Sequence, residues 1–124
     1  MKTKISVYTD GATLGQNKIG VTEFVGLGVY FPHLGRGMCK KVEGISNNEA
    51  ELKALHYAMK LCVQNNFTDV EFFCDSWITV NRACGNKPKM RKYQNDRMDA
   101  LQDNILNESK NFKSCTFKWV PREM

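Results

Sequence analysis

From Thr3 to Asp10 the chain alternates, with Ile5, Val7 and Thr9 on one face and Ser6 and Tyr8 on the other. That period of two predicts a strand with one buried side. Asp10-Gly11 predicts a turn that ends it. A glycine-containing connection through Leu14-Gly15-Gln16-Asn17 leads to a second predicted strand, Phe24-Val25-Gly26-Leu27-Gly28-Val29-Tyr30-Phe31. Its glycines suggest a bulge or a close backbone approach, and Pro32 closes it. Leu34-Gly35-Arg36-Gly37 reads as a hairpin turn into a third strand over about 38–45.

The period then lengthens. Ser46 or Asn47 predicts an N-cap, and Glu49 and Glu51 fall in the first turn, where acids favour the helix dipole. The helix runs to about Asn65, with Ala54, Leu55, Ala58, Met59, Leu61 and Cys62 on its apolar face. Glu51 lies one turn before Leu55, on that inward stripe, a costly place for a carboxylate unless a cation meets it. Val70-Glu71-Phe72-Phe73-Cys74 predicts a strand ending at Asp75, followed by a short helix from Ser76 to about Ala83. A loop with Gly85 and Pro88 as breakers comes next, then a helical period over 90–108 through Met98, Leu101, Ile105 and Leu106. The last predicted strand, Thr116-Phe117-Lys118-Trp119-Val120, stops at Pro121. The order βββαβααβ predicts an α/β fold, a mixed five-stranded sheet flanked by helices, in a single domain over 1–124.

At 124 residues such a chain buries enough surface to need no staples. No apolar run approaches the roughly 18 residues of a membrane span, and the N-terminus alternates where a signal peptide would be continuously apolar. The expected compartment is the cytoplasm. Five cysteines without a C-x-x-C pair fit reduced thiols, and neither His33 nor His56 has the sequence neighbours of a zinc site. The net charge of +5 is local: Arg82, Lys87, Lys89, Arg91, Lys92 and Arg97 face one acid, Asp96, while the other 12 basic and 12 acidic residues cancel. Such a patch suits a phosphate-rich partner, or equally a solvated loop.

Three carboxylates stand where elements begin or end: Asp10 in Tyr8-Thr9-Asp10-Gly11-Ala12, Glu51 in Asn47-Asn48-Glu49-Ala50-Glu51-Leu52, and Asp75 in Cys74-Asp75-Ser76. Taken singly, each has a structural explanation as turn former, dipole partner or residue before an N-cap. If the first and fourth strands pair, however, all three converge, and clustered carboxylates can hold hard divalent cations for phosphodiester hydrolysis.

Together these signatures resemble ribonuclease H type 1, and the order of elements agrees over nearly the whole chain. The closing Phe117-Lys118-Trp119-Val120-Pro121-Arg122-Glu123 is most similar to the compact bacterial, archaeal and viral branch with a V-P-R-E segment. The resemblance implies the ribonuclease H-like fold and hydrolysis of the RNA strand of an RNA/DNA hybrid with two Mg²⁺ or Mn²⁺ ions. It assigns metal-ligand and catalytic roles to Asp10, Glu51 and Asp75. It places Asn47 and Asn48 in the hybrid's minor groove, Ser46 on a DNA phosphate, and the backbone at Gly11 and Ala12 near the RNA 2′-hydroxyl. Lys87, Lys89, Arg91 and Lys92 correspond to a substrate-binding protrusion, and Arg122 stands in for a histidine-bearing loop that this chain lacks. Trp77 occupies a position where many members carry a hybrid-contacting glutamine, and core packing is its expected role here. The family's fourth acid follows V-P-R-E on a C-terminal helix. Since the sequence stops at Met124, that helix is expected to be missing; Glu123 is a candidate surrogate acid but is expected on the surface, and truncation or an acid from another subunit are the alternatives. A different class, a hybrid-binding protein without turnover, is the alternative.

Overall fold

The computed structural model describes residues 4–14, 24–44, 46–86 and 92–121, with the backbone alone at 14 and 92–97. Five strands form one sheet: β1 (Ile5–Leu14), β2 (Phe24–Phe31), β3 (Arg36–Glu43), β4 (Asp69–Cys74) and β5 (Ser114–Trp119). Three helices accompany them: α1 (Asn47–Gln64), α2 (Trp77–Ala83) and α3 (Lys92–Ser109). The spatial order is β3-β2-β1-β4-β5. The first three strands form an antiparallel meander, and β4 and β5 extend it in parallel from β1. The element order and the mixed sheet are those the hydrophobic pattern predicts.

Alternation along β1, β2 and β4 supplies one apolar face, with Val7, Val29, Phe31, Val70, Phe72 and Cys74 buried against Leu52, Leu55, Ala58, Met59 and Cys62 of α1. Met98 and Ile105 of α3 close the same core. The opposite face of the sheet carries Tyr8 and Tyr30, both exposed and paired across β1 and β2. Among the described residues no helix is long and apolar enough to cross a membrane.

Three local expectations need correcting. Asp10-Gly11 is not a turn: β1 runs on to Leu14, paired with Phe24 at its end. What stops near Asp10 is the pairing with β4, whose last partners are Thr9 and Cys74. Gly26 and Gly28 pair regularly with Ala12 and Asp10, with no bulge. The third strand begins at Arg36, earlier than expected, because a 3-10 turn over Pro32–Leu34 ends on Gly35 at φ 60° and reverses the chain tightly. Such a left-handed residue favours glycine.

Candidate metal centre

Three backbone relations bring the acids together. In the parallel β1–β4 pair, Thr9 faces Cys74, so the next residue of each strand, Asp10 and Asp75, leaves the ladder side by side. The N-terminus of α1 is then fastened onto β1. The Gly11 N–H donates to Glu51 Oε1 at 3.0 Å, and the Thr13 N–H donates to Asn47 Oδ1 at 3.0 Å. A Cβ on residue 11 would lie 2.4 Å from the Ala50 carbonyl carbon and oxygen, so the contact requires glycine. α1 starts on a standard cap, with Ser46 Oγ accepting from the Glu49 N–H at 3.1 Å. As a result Asp10, Glu51 and Asp75 each offer an oxygen within 4.8 Å of the others.

The two glutamates of that first turn have separate roles. Glu49 is buried but takes Lys53 Nζ at 2.9 Å, an ion pair within the helix. Glu51 is 2% exposed, and its Oε2 is buried without a hydrogen-bond donor. Its carboxyl is pushed up to about 8, chiefly by burial, against the lowering effect of the Gly11 N–H; the charge of Asp75, and a hydrogen bond with Asp10 together with its charge, push it further up. At neutral pH, with no cation beside it, Glu51 therefore keeps its proton. Three carboxyl groups, one with a buried oxygen that meets no donor among the described residues, are a set of hard oxygen donors, fully anionic once Glu51 gives up its proton to a cation. That set fits Mg²⁺ or Mn²⁺ and would be a poor match for a soft metal.

Residues 34–124 match the family described as reverse transcriptase-like. The chain belongs to that family. The ribonuclease H type 1 assignment suggested by the three acid signatures agrees with it. No curated protein matches the chain in sequence. Solved structures establish that it has the ribonuclease H-like fold. RNase H1 from the halophilic archaeon Halobacterium salinarum NRC-1 superposes with a TM-score of 0.76 at 20% identity, covering 98% of this chain and 88% of that one. The N-terminal RNase H domain of rv2228c from Mycobacterium tuberculosis, solved as a fusion with maltose-binding protein, gives 0.74 at 20% identity, with 98% and 85% covered. LC11-RNase H1, solved in complex with an RNA/DNA hybrid, gives 0.63 at 22% identity, with 97% and 87% covered.

The other expected site residues of this ribonuclease H-like chain fall into three groups. Ser46, Asn47 and Asn48 sit at the start of α1 beside Glu51, and Gly11 and Ala12 lie under it on β1. Ser46 and Asn47 also hold the structure together, through the cap and the Thr13 bond. Lys92 opens α3, with only its backbone described. Lys87, Lys89, Arg91, Arg122 and Glu123 lie outside the described residues.

Two residues differ from their expected roles, and one was missed. Arg82, counted in the basic patch, is fully buried; its guanidinium donates to Asp99 Oδ1 at 2.8 Å and Gln102 Oε1 at 3.2 Å. Gln102 in turn donates to the Arg82 and Asn86 carbonyls. It fastens α2 to α3 and grips nothing in solvent. Trp77 is 65% exposed, not packed in the core, because the buried side of α2 is taken by Thr79, Val80, Arg82 and Ala83. Trp119 carried no expectation, yet its indole N–H donates to the Asp75 carbonyl at 3.2 Å. The available signal was its position at the end of a strand parallel to the one that delivers Asp75.

Proposed function

We propose that this ribonuclease H-like protein hydrolyses the RNA strand of RNA/DNA hybrids with two Mg²⁺ or Mn²⁺ ions. The convergence of Asp10, Glu51 and Asp75 within 4.8 Å carries this reading, and the hybrid-bound neighbour LC11-RNase H1 supports the choice of substrate. When bound, the ions would supply Lewis-acid stabilisation of the phosphoryl oxygens and a water acidic enough to attack at neutral pH.

The protein's own share is positioning. Asp10 and Asp75 are set by the β1–β4 register, and the Gly11 N–H holds Glu51 through Oε1. The backbone of Gly11 and Ala12, with Glu51, meets the RNA 2′-hydroxyl, the group that separates RNA from DNA. Asn47 and Asn48 read the minor groove, and the Ser46 hydroxyl, whose oxygen already caps α1, donates its proton to a DNA phosphate. Lys87, Lys89, Arg91, Lys92 and Arg122 grip the backbone electrostatically, and Glu123 is the candidate for a fourth acid. All five cysteines are free, which fits a reducing compartment, and we assign the activity to the cytoplasm on that ground.

A hybrid labelled on its RNA strand and incubated with Mg²⁺ or Mn²⁺ is expected to be cut by the protein and left whole by Asp10→Asn and Asp75→Asn. An uncut hybrid at ample enzyme and metal would sink the reading. Salt-dependent binding without turnover would instead select a hybrid-binding protein with no catalysis.

A further inference from the structure

The chain contains two tryptophans, and both stand beside the acid cluster. Trp77 opens α2 two residues after Asp75, and Trp119 ends β5 with its N–H on the Asp75 carbonyl. Their rings meet edge to face, with centroids 6.4 Å apart and planes at 86°. Trp77 is 65% exposed and Trp119 47%. Leaving that much indole in water forfeits the burial that usually keeps tryptophan in a protein. The edge-to-face contact and the Asp75 bond brace the pair, while most of the Trp77 ring stays open.

We propose that Trp77, braced by Trp119, is a stacking platform for an unpaired nucleobase next to the acid cluster. The protein then favours hybrids that continue into a single-stranded tail over blunt ones. This rests on the hybrid-hydrolase reading. Bases within a hybrid are already stacked on their neighbours, so an indole face takes a base only where it is unpaired or splayed out. An open aromatic face in a chain of net charge +5 combines the two elements of single-strand recognition, a stacking surface and an electrostatic pull on phosphates. Its place beside Asp75 puts the tail next to the cluster that would receive the scissile phosphate.

The test compares a blunt hybrid, the same hybrid with an unpaired tail on either strand, and the tail alone, with a chelator present so that nothing is cut. Ligand anisotropy gives the affinities. Tryptophan fluorescence, excited where tyrosine is silent, reports the platform directly, because both tryptophans belong to it. The tailed hybrid is expected to quench more strongly and bind roughly fivefold or more tightly than the blunt one, the lower end of one base–aromatic stack. In Trp77→Ala, checked for an unchanged thermal transition, the tailed-to-blunt ratio should fall to about one, and Trp77→Phe should keep part of it. Equal affinities, or a ratio that survives Trp77→Ala, overturn the platform while leaving the hydrolase reading intact. A blunt hybrid that is not bound here, and stays uncut once Mg²⁺ or Mn²⁺ is restored in excess of the chelator, overturns both.

Discussion

Glu51 and Arg82 are both withdrawn from water, at 2% and 0% exposure, yet their surroundings differ in kind. Arg82 is answered by a carboxylate and an amide, Asp99 and Gln102, and ties two helices together. Glu51 has one backbone N–H and, for neighbours, two more acids. A buried charge with a counter-charge can be accounted for by the fold alone, whereas a buried carboxyl among other acids is a site that no cation among the described residues answers. The first kind should fail through stability when altered, and the second through function.

The largest expected effect is on catalysis. Asp10→Asn or Asp75→Asn should lower hybrid cleavage by roughly a thousandfold or more, since several kcal/mol of transition-state stabilisation goes with the ions, while the thermal transition changes little. A residual rate within tenfold of the parent would remove the acid side of the comparison. Next, Arg82→Ala should destabilise the fold by about 3 kcal/mol in urea unfolding, through the lost pairing and the cavity left behind. A stability unchanged within about 0.5 kcal/mol would show that its burial holds nothing. Gly11→Ala should cost about 2–3 kcal/mol, because its Cβ meets backbone at 2.4 Å, and it should disturb cleavage as well by lifting α1 off β1.

The smallest and most discriminating effect concerns pH. Glu51 is raised from 4.5 to about 8 in the folded protein, so between those values the native state holds a proton that the unfolded chain has released. Its contribution is full below about 4.5 and is lost as pH rises towards 8, so the metal-free protein should weaken over that window. Glu51→Gln keeps an acceptor for the Gly11 N–H without the charge. It should flatten the decline and stabilise the metal-free protein at pH 8 by roughly 1–3 kcal/mol, measured as the difference between the two pH–stability curves. Identical slopes would mean that burying Glu51 beside two other acids carries no cost.

Much of this arrangement was legible because it is local. Alternation found β1, β2 and β4, the apolar stripe of α1 exposed Glu51 as misplaced, and three short signatures marked the acids that the structure brings together. The errors arose where a residue's role is set by a distant partner. Gly11 resembles a turn glycine because its real constraint, the Ala50 backbone, is 39 positions away in sequence. Arg82 belongs to a basic run by composition, and only folding brings Asp99 and Gln102 onto it. Trp77 suggested packing by its size, but α2 has seven residues and fills its buried side with others. The Trp119–Asp75 bond joins β5 to the end of β4, a relation that no window along the chain contains.

The bond from the Gly11 N–H to Glu51 has a consequence for motion. That amide sits in a β1 strand paired on both edges up to Thr9 and continuing against β2, under a helix that touches it backbone to backbone. The backbones that carry Asp10 and Glu51 are therefore as immobile as the sheet beneath them, and the Gly11 amide should exchange its hydrogen with solvent only when β1 and α1 separate. Its exchange rate then measures how often that contact opens.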